Sequence, residues 1–116
     1  MAELTDERRQ AIYRAFREQV NMTPKELEAW LATEQSQRVG QNAGDGESIG
    51  HKSGRRIVAI KRKKKAELTG DDYAHMNKVV GYVRRHRKQG PSKSDVETSR
   101  WRYSLMNWGH DPLKEA

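Results

Sequence analysis

The sequence predicts an all-α protein, a small compact bundle of about five helices. Apolar residues recur at helical spacing in several stretches, as Ile12, Phe16 and Val20 do, and helix-start signals precede most of these stretches. The one strand-like run, IVAI at 57–60, is flanked by charged residues that favour helices. At 116 residues the chain fits a single helical domain, 1–116.

The first two helices are predicted from their start signals. The first runs from Asp6 to Val20, with Thr5 as its cap. The second begins at residues 23–26 (TPKE), a capping box with proline at the first helical position. Its apolar pattern fades between residues 35 and 39, so we expect it to end there.

A glycine-rich stretch, residues 40–54, separates the second and third predicted helices. It contains five glycines and no apolar period, which is typical of a mobile loop. The third helix is expected to start near Ser53 and to continue into the lysines at 61–65. Its inward side is carried by Ile57 and Ile60.

The fourth and fifth helices complete the predicted bundle. The fourth runs from Gly70 to Lys88, after a capping box at residues 69–72 (TGDD), and Gly90 and Pro91 stop it. The fifth is predicted to begin with another capping box at residues 94–97 (SDVE). Its Trp101, Leu105 and Trp108 share one face, which is more typical of a core than of a base-stacking surface. Residues 110–116 are expected to form a tail.

The chain offers no constellation for catalysis or for a cofactor. It has no cysteine, which excludes disulfides and thiolate metal sites. Its four histidines lack metal-ligand spacing, and its serines lack a nucleophile elbow. Paired carboxylates such as Asp71 and Asp72 are better explained as helix caps. We therefore expect no enzyme, no cofactor and no metal or catalytic residue.

Targeting signals are also missing from the sequence. The first residues are polar, and no run of about 18 apolar residues occurs. We expect no membrane partner and a cytoplasmic protein, associated with the nucleoid if the source is bacterial.

Charge is distributed unevenly along the chain. Residues 1–50 hold 6 Lys and Arg against 9 Asp and Glu, a net of −3. Residues 51–116 hold 17 against 7, a net of +10, which completes the +7 of the whole chain. Such a gradient draws polyanions to one end of a molecule. The densest stretch, residues 52–65, carries eight cations and no acidic residue.

These cations predict a nucleic-acid interface. On a helical wheel most of them lie opposite Ile57 and Ile60, and a second cluster ends the fourth helix. Duplex DNA with low sequence specificity is the favoured partner, because cations alone grip phosphates without reading bases. The residues expected to bind are Lys52, Arg55, Arg56, Arg62, Lys63 and Lys64, with Arg85 and Lys88.

Two other interpretations of the charge stay open. The basic face can instead pair with an acidic protein partner, or with the acidic N-terminal half of a second copy, which would make the chain a homo-oligomer or a protein-interaction module associated with stress. The glycine-framed residues 50–56 (GHKSGRR) also resemble a helix start that offers N–H groups to a phosphate. They lack the full phosphate-loop pattern.

Two motifs carry a resemblance to a known family. The stretches GHKSGRRIV (50–58) and WRYSLMNWGHDPLK (101–114) resemble a family of small bacterial and fungal proteins of unknown function. Its members are often labelled DNA-binding protein. The resemblance extends from about Phe16 to Lys114. It implies DNA binding but no catalytic or binding residue.

Overall fold

A computed structural model describes residues 5–39, 47–90 and 96–114. These residues contain no β-strand, so the predicted all-α class is confirmed. Five of their six α-helices are eight residues or longer, which agrees with the expected count. The helices are α1 (Asp6–Gln19), α2 (Pro24–Leu31), α3 (Glu34–Arg38), α4 (Ile49–Arg62), α5 (Gly70–Gln89) and α6 (Arg100–Asn107). One 3₁₀ turn, Lys65–Glu67, lies between α4 and α5, and another, Pro112–Lys114, follows α6.

Every helix starts at a hydroxyl cap. The cap oxygen accepts the N–H of the third helical residue over 3.0–3.2 Å, which is worth about 1 kcal/mol per helix. The predicted capping boxes at Thr23 and Thr69 are both present. The caps are Thr5, Thr23, Thr33, Ser48, Thr69 and Ser99.

The helices pack in two pairs around one apolar core. α1 lies along α5, α2 lies along α4, and α6 contacts α2, α3, α4 and α5. The side chains that the periodicity placed inward are buried, with Leu27, Ile57 and Leu105 at 0 % exposure. α6 joins the two pairs, because it contacts α5 of one pair and both α2 and α4 of the other, and α4 and α5 also contact each other directly.

α4 begins at Ile49 rather than near Ser53, so the predicted loop is wrong for residues 49–54. Residues 40–46 lie outside the described part of the chain. The glycines within α4, Gly50 and Gly54, lie at a close contact between helices. A Cβ on Gly54 would lie 2.6 Å from the Asn107 carbonyl oxygen and 2.7 Å from Leu31 Cδ2. Glycine therefore permits α4 to approach the end of α6.

Two predicted helix ends are also corrected. α4 stops at Arg62, and its expected continuation into residues 63–65 is wrong, since Lys63 has extended backbone. The second predicted helix is divided, because α2 ends at Leu31 and Thr33 caps the separate α3. The Thr33 hydroxyl caps α3 and so sets where this helix begins. The apolar pattern of the sequence did not predict this break.

The C-terminal region differs from its prediction as well. α6 begins at Arg100 rather than at Ser94. Ser99 is its cap, and the Ser99 hydroxyl also donates to the Val96 carbonyl over 2.8 Å. Ser94 lies outside the described residues. His110 and Asp111, expected in a tail, are 2 % and 9 % exposed.

Replacing Gly54 by alanine tests the close approach of α4. We expect Gly54→Ala to lower the free energy of unfolding by about 1–3 kcal/mol, because the new methyl overpacks a backbone oxygen. Gly81→Ala is the matched control within α5. Its Cβ would meet only the end of the flexible Arg85 side chain, and alanine should stabilise that helix by about 0.5–1 kcal/mol. Urea unfolding measures both, and equal effects would contradict the packing argument.

Candidate nucleic-acid interface

The cations on the outer side of α4 are paired within the molecule. The Arg55 guanidinium donates to both carboxylate oxygens of Glu47, over 2.9 and 2.5 Å. Arg62 forms an ion pair with Glu28 on α2. Hydrogen bonds from His51 and Arg55 hold the pKa of Glu47 below its usual value, so this carboxylate stays charged. Two of the six cations predicted for this face are thereby paired with neighbouring carboxylates.

Asp72 forms ion pairs with two further cations at α4. One of its oxygens lies 2.7 Å from Lys63 Nζ, and the other lies 3.8 Å from Arg56. The same carboxylate closes the capping box of α5 by accepting the Thr69 N–H. Burial would raise the pKa of Asp72, but the hydrogen bonds from Lys63 and Thr69 more than offset it and lower that pKa. Asp72 therefore both caps α5 and anchors α4.

The other cations of the 52–65 stretch have separate positions. Lys61 donates to the Val20 and Met22 carbonyls over 3.2 and 2.7 Å, and burial lowers its pKa. Lys65 Nζ lies 4.7 Å from the centre of the Tyr13 ring. Lys64 is exposed beyond the end of α4, and Lys52 is half-buried within it. The stretch does not form one uniform ladder of free charges.

A second set of cations shares one exposed face of α5, here named the α5 basic face. At 100° per residue its four members lie within about 120° of arc, opposite the buried Val79 and Val83. Within the described ranges 5–39, 47–90 and 96–114, no carboxylate forms an ion pair with any of the four. All four are exposed: Lys78, Arg84, Arg85 and Lys88.

The C-terminal end of this face borders an open groove. Arg84, Arg87 and Lys88 line it together with Gln19 and Trp101. The Arg87 guanidinium donates to Gln19 Oε1 over 3.0 Å, and the Trp101 indole donates to the His86 carbonyl over 2.7 Å. These bonds fix the walls of a groove in which three cations converge.

The structure thus divides the eight predicted site residues. Arg85 and Lys88 lie on the α5 basic face, together with Lys78 and Arg84. Arg55, Arg56 and Arg62 on α4 and Lys63 just after it are paired. Lys52 is half-buried on α4, and Lys64 is exposed beyond its end. The sequence did not predict the carboxylates that pair with these cations. Glu28 and Glu47 have no sequence signal that separates them from other surface acids, and the capping pattern predicts Asp72 only as part of a helix cap.

Among the described residues, no group of three or more His, Asp or Glu side chains is placed to hold a metal ion. The helices that the structure describes include none with the length and apolar character needed to cross a bilayer.

One protein family matches the chain. The family model described as "Protein of unknown function (DUF3140)" matches residues 15–106, which confirms the resemblance to a family of unknown function and does not test the DNA-binding label. No curated protein and no solved structure matches the chain.

His75, between α5 and α4, gives the fold a dependence on pH. Burial, Arg56 and Lys78 lower its pKa to about 4, and its ring lies 2.9 Å from the Ser53 hydroxyl. The His75 ring therefore binds a proton more readily in the unfolded chain than in the folded one. The stability that the neutral ring contributes is fully present above about pH 6.5 and is lost as pH falls toward 4. His86, whose pKa burial also lowers, acts in the same direction.

We expect His75→Gln to flatten the loss of unfolding free energy between pH 7 and pH 4.5, whatever its effect at pH 7, because glutamine binds no proton there. Urea unfolding at several pH values measures the slope. Asn77→Ala, an exposed change on the same helix, should keep the original slope. An unchanged slope in His75→Gln would show that the ring is protonated alike in both states.

Proposed function

The chain belongs to the DUF3140 family of proteins of unknown function, and we propose that it binds nucleic acid, duplex DNA above all, with low sequence specificity. The observation that carries the proposal is the α5 basic face. Its four exposed cations have no carboxylate partner in the described part of the chain. Residence in the cytoplasm, on the nucleoid in a bacterium, belongs to the same proposal.

The dimensions of the face suit a phosphate backbone. Lys78 and Lys88 are ten residues apart, which spans about 15 Å along a helix. Duplex DNA presents one charge per about 1.7 Å of axis, so this length meets about nine phosphate charges. Between Asp72 and Gly90 the helix carries no acidic residue, so no carboxylate of α5 lies between the cations of this face. The groove beside Arg84 and Lys88 gives a phosphate a recess to enter.

Low specificity follows from the kind of side chain. Lysine and arginine contacts to phosphates fix position and carry no sequence information. The helix-turn-helix arrangement, in which a short turn presents a recognition helix, does not fit the long connection between α3 and α4. Binding is therefore driven by counterion release and weakens steeply with salt.

The paired cations of α4 contribute less to nucleic-acid binding than the α5 basic face does. Arg55 and Arg62 are 63 % and 54 % exposed at their side chains, so a phosphate can reach them. It must compete with a carboxylate already in contact, and the net gain in charge neutralisation is small. We therefore place the centre of the interface on α5 rather than on the α4 stretch that the sequence suggested.

Two triple variants with equal charge changes test this placement. Arg84→Gln, Arg85→Gln and Lys88→Gln remove three cations of the α5 basic face. Arg55→Gln, Arg56→Gln and Arg62→Gln remove three paired cations of α4. With salt-titrated duplex binding we expect the α5 triple to reduce the magnitude of the log–log salt slope by about 2.7, at 0.9 per lost contact. Its affinity at low salt should fall at least about tenfold.

The α4 triple should change the slope by less than about 1. Equal losses in both variants would mean that net charge alone acts, and a larger loss in the α4 triple would return the interface to α4. Heparin and single-stranded DNA serve as further ligands. If heparin binds as tightly as the duplex, the protein is a general polyanion binder, and the acidic-partner interpretation gains instead.

A further inference from the structure

A cavity of about 280 Å³ lies where the start of α4, the middle of α5 and α6 meet. It is separate from the α5 basic face, whose four cations are not among its walls. Its volume is at the small end of ligand pockets. None of the described residues that line it is acidic. Those residues are Ile49, Gly50, Tyr82, Arg100, Ser104, Asn107 and Trp108.

Trp108 presents an unused hydrogen-bond donor at this cavity. Its side chain is almost fully buried, with 4 % of the residue exposed, and it stacks on Tyr82 with ring centres 4.2 Å apart. The indoles of Trp30 and Trp101 donate to Asn107 Oδ1 and to the His86 carbonyl, each over 2.7 Å. The Trp108 indole donates to no acceptor among the described residues. Buried tryptophans usually have such a partner. The Trp108 indole nitrogen itself is reachable by solvent, so an acceptor in the cavity can approach it.

The first turn of α4 adds donors to the same wall. Ser48 caps α4 through the His51 N–H, and the N–H groups of Ile49 and Gly50 have no acceptor within the helix. A Cβ on Gly50 would lie 3.1 Å from Trp108 Nε1, so the indole nitrogen and the helix start adjoin. Glycine at this position leaves the indole N–H accessible from the cavity. The positive end of a 14-residue helix favours an anion there.

The other residues that line the cavity indicate what else its ligand contains. Arg100 lines the cavity and makes no ion pair with any carboxylate of residues 5–39, 47–90 or 96–114. Ile49 is 41 % exposed, whereas Ile12, Ile57 and Ile60 are buried, and Tyr82 also lines the cavity. Hydrogen-bond donors and the Arg100 cation line one part of the cavity, and apolar side chains line another. This lining fits a ligand that has both an anionic group and an apolar part.

We propose that this cavity binds a small organic anion with a flat apolar body, an aromatic carboxylate being the simplest example. The carboxylate accepts the Trp108 indole N–H and the first N–H groups of α4, and Arg100 balances its charge. The apolar body rests against Ile49 and Tyr82. The proposal is independent of nucleic-acid binding, since neither Trp108 nor Arg100 belongs to the α5 basic face.

Nuclear magnetic resonance of ¹⁵N-labelled protein tests the proposal directly, because each of the three tryptophans gives one indole N–H signal. Benzoate is the probe, benzamide its neutral counterpart, and acetate the anion without an apolar body. We expect benzoate to shift the Trp108 indole signal saturably, with a Kd below about 1 mM. The signals of Trp30 and Trp101, which already have acceptors, should move little.

Benzamide and acetate should bind at least about tenfold more weakly than benzoate, because each lacks one half of the recognition. A saturable benzamide shift of equal strength would overturn the assignment of an anion. Absence of a saturable shift with benzoate at about 10 mM would overturn the site altogether.

Arg100→Gln should weaken benzoate binding at least about tenfold, since a charge-assisted contact is lost. Arg38→Gln, at a side chain 79 % exposed, is the matched control with the same charge change and should leave the Kd within about twofold. Equal effects of the two variants would overturn the role of Arg100. Gly50→Ala should abolish the shift by filling the wall. Because this variant crowds Asn107 as well, the Arg100 comparison decides the result if it folds poorly.

Discussion

The segment that follows α6 is hydrogen-bonded to the junction between α1 and α2, and this attachment closes the fold. The Met22 N–H donates to the Gly109 carbonyl over 3.2 Å. Asn21 forms two bonds with the backbone of Asp111, at 3.0 and 2.8 Å, and His110 Nδ1 lies 2.6 Å from the Gln19 carbonyl. The His110 contact pairs the Gln19 carbonyl, which the end of α1 leaves open. The others pair backbone groups of Met22, Gly109 and Asp111.

Two further interactions depend on that attachment. The Asp111 carboxylate accepts two hydrogen bonds from the Arg102 guanidinium, from Nε and from Nη2, each over 3.0 Å. Burial would raise the pKa of Asp111, and these bonds together with the Leu113 N–H lower it instead. Asn107, 1 % exposed, accepts from Trp30 and from Ser36 and donates to the Ser36 carbonyl. Because α6 is held at both of these points, Gly54 and Gly50 must pack against its end, and the cavity beside Trp108 results.

Charge in this molecule is organised by tertiary pairing rather than by sequence density. The stretch at 52–65 is the most basic in the chain, yet Glu28, Glu47 and Asp72 reach it from other segments. The α5 basic face is less dense in cations, but none of its four members forms an ion pair with a carboxylate among the described residues. Electrostatic attraction to a polyanion depends on the uncompensated charge of a surface, so the less conspicuous cluster is the better candidate.

Local chemistry fixed much of this protein in advance. A hydroxyl before a helix, a capping box or a 3.6-residue apolar stripe acts within four or five residues, and from these the all-α class, the bounds of α1 and α5 and most of the core could be predicted. The start of α6 could not, because residues 94–97 hold the pattern of a cap while Ser99 makes the bonds. The small residues of α4 are ambiguous in sequence, since glycine serves a loop and a close helix contact equally well. Which cations are neutralised, and which indole N–H is left without an acceptor, was decided only by tertiary structure. Those outcomes depend on distances between residues far apart in the chain, and periodicity carries no information about them.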